Sequence, residues 1–117
     1  MSPNRLNGSP PPRPPAGLAQ AGAAFWRKMA AEYVLDGRAT ELLRLACVQL
    51  DRAAEARKQL DTDGVAIVDR FGQHRPHPSL ATEQSASITF LRLTREAGFD
   101  LDDVPEVRSP RRTTGRR

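Results

Sequence analysis

Residues 38–62, RATELLRLACVQLDRAAEARKQLDT, have the pattern of one long amphipathic helix. Apolar side chains recur every three or four positions, which places them along one side of a helix. At 1.5 Å per residue this helix is ~37 Å long, so its apolar side needs partners along its whole length. We predict that this apolar stripe is buried partly within one chain and partly between copies; its members are Leu43, Ala46, Leu50, Ala53 and Leu60. The opposite, charged side is expected to face water; it carries Arg44, Asp51, Arg52, Glu55 and Lys58.

A second helix is predicted before this one, over residues 18–35. Its two adjoining apolar rows contain Trp26 and Tyr33, which we assign to the core because the chain has few other aromatic residues. Asp36 follows it and is a suitable N-cap for the long helix. We therefore expect the first two helices to form a tight helical hairpin or corner.

After the long helix the period of the apolar residues changes from three or four to two, which is typical of strands. Residues 65–68 and 73–75 predict a small β-hairpin. An isolated hairpin is only marginally stable in water. We therefore expect Val65, Ile67 and Phe71 to pack against a helix or against a neighbouring subunit.

A last helix is predicted over residues 79–97, with Pro78 at its start and Gly98 as its C-cap. Its apolar residues are Leu80, Ile88, Phe90, Leu91 and Leu93. The fold class is therefore mainly α, with a three-helix core, a long central helix and a small β-hairpin before the last helix, flanked by disordered tails.

The two ends of the chain have a different composition from the middle. Six of the ten prolines lie within the first 15 residues, and the last ten residues include five arginines and no acid. Neither end has the apolar side chains that would offset the entropy of ordering it. We predict a disordered Pro-rich arm over residues 1–17, a helical domain over residues 18–99, and an acidic, then Arg-rich, flexible tail over residues 100–117.

The basic character of the chain comes from these ends. The net charge is +4 and the isoelectric point about 10.2, yet residues 16–107 contain 11 basic and 14 acidic groups. Attraction to the phosphates of DNA should therefore come mainly from the tails, with Arg5 and Arg13 at the N-terminal end. The C-terminal candidates for binding DNA are Arg108, Arg111, Arg112, Arg116 and Arg117.

The first two helices offer a second set of cations. A helix, a short turn and a helix also occur in helix-turn-helix proteins, in which the start of the second helix reads the DNA bases. In that interpretation Arg27, Lys28, Arg38 and Arg44 contact DNA. The alternative is ordinary helical packing, because the first turns of the second helix are mostly leucine.

The sequence gives no support for an enzyme, and we expect neither a cofactor nor a metal. Cys47 is the only cysteine and is expected to be a buried, reduced thiol. His74 and His77 have the spacing of a metal pair but lack a third ligand, and the acids at 100, 102 and 103 are typical of a solvated segment. No stretch is long and apolar enough to span a membrane or resembles a signal segment, so a cytosolic protein is expected.

Five short stretches, in this order and spacing, resemble the small subunit of phage and prophage terminases. They are A-G-A-A-F-W-R at 21–27 with Glu32, Tyr33 and Leu35, L-L-R-L-A-C at 42–47 with Leu50 and Asp51, D-G-V-A-I-V at 63–68 ahead of Gly72, H-P-S-L-A at 77–81, and L-R-L-T-R-E-A-G-F at 91–99. The resemblance covers about two thirds of the chain. His77 stands where the family usually has asparagine, and the acidic stretch DLDDVPEV differs from the usual ending.

The resemblance implies a non-catalytic component of a viral DNA-packaging motor. Such a subunit binds double-stranded phage DNA, forms a ring-like homo-oligomer and regulates the large terminase subunit, which holds the ATPase and nuclease. The segment from Asp100 onward is our candidate contact to that large subunit, because it mixes acids with apolar side chains. The alternative is a helical protein–protein adaptor that does not bind DNA and that uses its Pro-rich arm as a docking peptide.

Overall fold

The computed structural model describes residues 10–101. It contains three helices and a two-stranded hairpin in the order α1 (Gln20–Glu32), α2 (Gly37–Asp63), β1 (Ala66–Val68), β2 (His74–Pro76) and α3 (Pro78–Ala97). The predicted fold class is confirmed: the molecule is mainly α, with a long central helix and the hairpin before the last helix. The predictions for residues 1–9 and 102–117 lie outside the described residues.

The core lies at one end of an antiparallel pair formed by α2 and α3. Arg38, at the start of α2, is ion-paired with Glu96 near the end of α3, so the two helices run in opposite directions. Helix α1 packs against the first half of α2 and the second half of α3, with the Phe25 and Phe90 ring centroids 5.0 Å apart. Trp26 and Tyr33 are buried there, as predicted.

The other half of the α2–α3 pair has only two layers. Past Cys47 the buried residues of α2 are Ala56 and Leu60, and before Phe90 the buried residue of α3 is Ala86. These mostly small side chains bring the two helices together without a third element over them. We call this part, with the hairpin at its end, the distal half.

Helix α1 is shorter than the predicted 18–35. It ends at Glu32 because Tyr33 has an extended backbone, with φ −123° and ψ 147°. This conformation turns the Tyr33 ring toward Phe99, 5.1 Å away between centroids, and its hydroxyl accepts the N–H of Asp100 at 2.8 Å. The end of α1 is therefore set by a contact with the segment after α3.

Other predicted helix ends are confirmed. The Asp36 carboxylate accepts the N–H of Ala39 at 2.7 Å and caps α2. Gly98 has the left-handed conformation, with φ 81°, and ends α3 as a C-cap glycine does. Pro78 is the first residue of α3, the position predicted for this proline.

The hairpin is organised by the side chain of Asp69 in its turn. This carboxylate accepts the N–H groups of Phe71 at 2.8 Å and Gln73 at 3.0 Å, and the Arg75 guanidinium at 2.5 Å. The bond from Arg75 is the main reason that the pKa of Asp69 is lowered. The strands pair with Ile67 opposite Arg75, so β2 lies one residue later than predicted.

Candidate nucleic-acid and assembly surfaces

The four cations predicted to bind DNA from the helices are not gathered into one surface. Lys28 is 3.8 Å from Glu32, Arg38 is 2.7 Å from Glu96, and Arg44 is bonded to Glu41. Arg27 lies on the exposed side of α1 and has no ion pair within residues 10–101. Three of the four would therefore exchange an acidic partner for a phosphate if they bound DNA.

Arg38 and Arg44 also point in different directions. Six positions along a helix correspond to a rotation that leaves their side chains about 120° apart. In the first turns of α2, Ala39 and Leu43 are buried in the core, which agrees with the packing alternative for this element. Base reading by the start of α2 stays a prediction, and the five C-terminal arginines lie outside the described residues.

The apolar stripe of α2 is covered unevenly by the chain itself. Leu43, Ala46 and Leu60 are buried within the monomer, whereas Leu50 and Ala53 are half-buried. Leu50 packs against the edge of the core cluster. Only the middle of the stripe, at the border between the core and the distal half, is thus available for contact with a second copy.

The largest exposed apolar side chains lie elsewhere. Val65, Val68 and Phe71, on the hairpin, are 56%, 60% and 73% exposed, and Ile88 and Leu91, on α3, are 56% and 39% exposed. We had placed Ile88 and Leu91 among the apolar residues of the last helix, but they face solvent because α3 buries Ala86, Phe90, Thr94 and Ala97 instead. The spacing of apolar residues alone does not say which of two adjoining rows is buried.

A joint between α1 and α2 was missed by the sequence reasoning. Asp51 was assigned to the solvated side of α2, but its carboxylate accepts the N–H of Ala19 at 2.7 Å and of Gly22 at 2.6 Å. Ala19 is the N-cap of α1 and has no capping side chain of its own. Asp51 therefore caps α1 from a neighbouring helix, and no local pattern around residue 19 signals it.

A second joint connects the two helices at the distal end. His77 is the N-cap of α3: its Nδ1 accepts the N–H of Ser79 at 3.0 Å, and its Nε2 lies 2.9 Å from the Asp63 carboxylate. The ring does what an asparagine at this position would do, because asparagine is also a good N-cap. Its nitrogens are thus engaged in structure rather than directed at a metal, and His74 lies exposed on β2.

The Pro-rich arm is partly held on the core. The structure describes it from residue 10 onward, and the Trp26 indole N–H donates to the Pro12 carbonyl at 2.9 Å. This bond gives the buried indole nitrogen a partner. The arm thus contacts α1 at Pro12.

The one thiol of the chain, Cys47, lies in the packed core. Cys47 is buried, and burial, with the nearby Asp51 charge, raises the pKa of its thiol to about 12. At neutral pH such a thiol is not a nucleophile. Within residues 10–101 no three metal-ligating side chains come together, and no helix there is long and apolar enough to cross a membrane.

A shallow groove of about 310 Å³ lies between α2 and α3 on the distal half. Its lining combines small residues with polar ones: Gln49, Arg52, Ala81, Thr82, Ser85 and Ala86. Ala86 is its one buried lining residue, so no buried polar group is directed into it. The groove therefore does not have the build of a ligand site.

The comparisons with known proteins give no relative. No family model matches this chain, and no curated protein or solved structure matches it.

Proposed function

We propose that this protein is a terminase small subunit, a non-catalytic component of viral DNA packaging that binds phage DNA, assembles with copies of itself and regulates the large terminase subunit. One observation carries the proposal: stretches of the resemblance that are far apart in the sequence contact each other in the folded chain. Gly22 donates to Asp51 at 2.6 Å, and Tyr33 packs on Phe99 with centroids 5.1 Å apart.

The third such contact is the pair of Asp63 and His77, 2.9 Å apart, which joins D-G-V-A-I-V to H-P-S-L-A. Each stretch is too short to be specific alone. In the folded chain these stretches thus meet at contacts between elements, as stretches that define one fold do. This supports treating the resemblance as a single pattern rather than five separate ones.

Self-assembly is supported by the exposed apolar side chains. Five large apolar residues are exposed within residues 10–101, and three of them are on one hairpin. A two-stranded hairpin is marginal in water, so apolar side chains left exposed on it favour a protein contact that covers them. A subunit that works as a homo-oligomer has a reason to keep such side chains.

For DNA binding, we propose that the C-terminal arginines supply most of the affinity. Three of the four helical cations already have an acidic partner. Each of these three would have to give up its ion pair to bind phosphate, whereas residues 108–117 contribute five arginines and no acid to the charge of the chain. Any preference for a packaging site then comes from the helices, and the segment from Asp100 onward contacts the large subunit.

The test is a salt titration of duplex DNA binding by the full chain. We expect the slope of log K against log salt to fall when Arg108, Arg111, Arg112, Arg116 and Arg117 are all changed to Gln, by up to about 0.9 for each lost phosphate contact. Arg38→Gln with Arg44→Gln should lower the preference for the packaging site and change the slope little. A matched control with the same loss of charge is Arg52→Gln with Lys58→Gln, which should preserve that preference. An unchanged slope in the five-arginine variant would refute the tail mechanism.

The adaptor that does not bind DNA is the second candidate, and the ion pairs of Lys28, Arg38 and Arg44 favour it. It predicts no salt-dependent DNA binding by the full chain. It also predicts that the ATPase of a terminase large subunit does not respond to this protein. If that ATPase is stimulated and DNA is bound, the adaptor is excluded.

A further inference from the structure

We propose that the side of α1 around Trp26 is a binding site for polyproline II segments, and that the Pro-rich arm of the same chain fills this site as a strap. The strap consists of residues 10–15, PPPRPP, which the structure describes ahead of α1. Its contact is the bond from the Trp26 indole N–H to the Pro12 carbonyl at 2.9 Å. The site needs neither DNA nor a second copy, so it fits a terminase subunit and an adaptor equally.

The buried Trp26 side chain needs an acceptor for its indole N–H. Trp26 is 2% exposed and belongs to the core cluster together with Phe25 and Met29. Its N–H can only donate, and a buried donor without a partner is costly. The acceptor that the structure gives it is a carbonyl of the strap. The burial of the indole thus depends on a segment that lies outside the helices.

The strap has a backbone that suits this role. Proline fixes φ near −65° and keeps the residue before it extended, so five prolines in six residues favour a polyproline II helix. Such a helix forms no hydrogen bonds of its own, which leaves the Pro12 carbonyl able to accept. Pro14 and Pro15 are half-buried although they lie outside the helices, whereas Arg13 is exposed. The strap therefore rests on the protein with its last two prolines and exposes its arginine to solvent.

The chain reverses its direction between the strap and α1. Trp26 lies about 9 Å along α1 from the first residue, Gln20. Pro12 reaches it because the strap runs back alongside the helix. The reversal takes place at a turn in which Gly17 has φ 96°, a conformation that residues other than glycine rarely adopt. The turn thus directs the strap toward Trp26, and the prolines keep it extended there.

Docking of a Pro-rich segment against aromatic side chains is a general mode of peptide recognition. It is favourable because the polyproline II helix is preformed and loses little entropy on binding. Here the segment and the site belong to one chain, which gives the strap a roughly millimolar effective concentration at its own site. The strap therefore stays on α1 and withholds its prolines from other proteins that bind Pro-rich segments. Such a protein has to compete with Trp26 for the arm.

The test follows the indole proton of the full chain by NMR. Trp26 is the only tryptophan, so it gives a single indole signal. The strap variant combines Pro11→Gly, Pro12→Gly, Pro14→Gly and Pro15→Gly, and Arg13→Ala is the control in the same segment. We expect exchange of the indole proton with water to be at least about tenfold faster in the strap variant, because each glycine adds backbone freedom that docking must remove. Exchange in Arg13→Ala should equal that of the wild type, and circular dichroism checks that all three proteins keep their helices.

Adding the strap as a separate peptide gives the sharpest outcome. The strap is bound within its own chain only if its dissociation constant lies below its effective concentration. A peptide of residues 10–17 should therefore bind the strap variant at roughly millimolar concentration and restore slow exchange. The wild type should respond little, because its own strap already fills the site. A peptide with glycine at the five proline positions is the matched control and should restore nothing.

Two results would overturn the proposal. If the indole proton exchanged as slowly in the strap variant as in the wild type, the prolines would not hold the strap on α1. If the proline peptide gave the strap variant no more protection than the glycine peptide, the site would not recognise polyproline II segments. Neither result bears on the terminase assignment, which the salt titration of DNA binding and the native mass test separately.

Discussion

At the scale of single residues, the close approach of α1 to α2 depends on Gly22. A Cβ atom at this position would lie 2.5 Å from Asp51 Oδ2 and 2.6 Å from the Cys47 carbonyl oxygen. The carbonyl belongs to the backbone of α2 and cannot rotate away. The glycine thus lets α2 come near enough for Asp51 to cap α1, at the cost of the weaker helix propensity of glycine.

Gly22→Ala should therefore destabilise the protein by about 1–3 kcal/mol, the usual cost of overpacking, although alanine is the better helix former. The matched control is Gly37→Ala at the start of α2, where an added Cβ would have no atom within 4 Å. That variant should be as stable as the wild type or slightly more so. Urea denaturation followed by circular dichroism gives both free energies of unfolding. Equal losses in the two variants would contradict the assigned contact.

Because of the buried Cys47 thiol, the free energy of unfolding should fall at alkaline pH. The pKa of this thiol is raised from the ordinary 9.0 to about 12 in the folded chain, chiefly by burial. Between these values the unfolded chain releases the thiol proton and the folded chain keeps it. Stability is therefore unaffected below about pH 9 and falls as the pH rises toward 12, by at most about 1.4 kcal/mol per pH unit.

The pH dependence of unfolding in the wild type and in Cys47→Ala isolates this effect from other groups that titrate in alkali. The variant should be less stable at pH 7, because it leaves a small cavity, but its free energy of unfolding should fall less steeply above pH 9. Parallel slopes for the two proteins would show that the thiol is not protected in the folded state.

At the scale of elements, the N-terminal ends of the helices are held by side chains, and for α1 that side chain is Asp51 of another helix, α2. Asp36 caps α2 locally, and a local pattern was enough to predict it. His77 caps α3 and also touches Asp63 at the end of α2, so it ties the two helices together below the hairpin.

His77→Asn should leave stability within about 0.5 kcal/mol of the wild type, because the asparagine side chain can accept the same N–H. His77→Ala should cost about 1 kcal/mol, the usual value of a lost N-cap. Thermal and urea unfolding of both variants measure the difference. If alanine proved as well tolerated as asparagine, the cap would have no role in stability.

The helices and the hairpin also show which features of the fold could be predicted from the sequence. Periodicity and end signals predicted three helices, the hairpin, Asp36 and Gly98, because each depends on neighbouring residues. The end of α1 at Glu32, the cap from Asp51 and the exposure of Ile88 could not be predicted in this way. Each depends on which element lies opposite, and residues 51 and 99 reach α1 only after the chain has folded.

The candidate DNA-binding residues also divide into those that the sequence reveals and those whose surroundings only the structure shows. The arginine-rich ends are evident from composition, but which helical cations have acidic partners requires the fold. The pair of Arg38 and Glu96 joins residues 58 positions apart. The need of the hairpin for a covering surface followed from its length. That Ile67 is half-buried while Val65 and Phe71 stay exposed within residues 10–101 could be learned only from the structure.

At the scale of the whole molecule, the two ends differ in the number of packed layers. One end is a three-helix core, and the other is the two-layer distal half. The core buries its aromatic residues, and the distal half leaves large apolar side chains in solvent. Small proteins have little surplus stability, and solvent-exposed apolar surface contributes none. Assembly would bury that surface and give the distal half its third layer.

The native mass of the full-length wild-type protein in solution tests this account most directly. Light scattering over a range of protein concentrations, at physiological salt and without DNA, is the measurement. We expect an assembly of several chains that persists on dilution, as a terminase small subunit that works as a homo-oligomer requires. A single 12.9 kDa species at every concentration would contradict the self-assembly on which the proposed function depends.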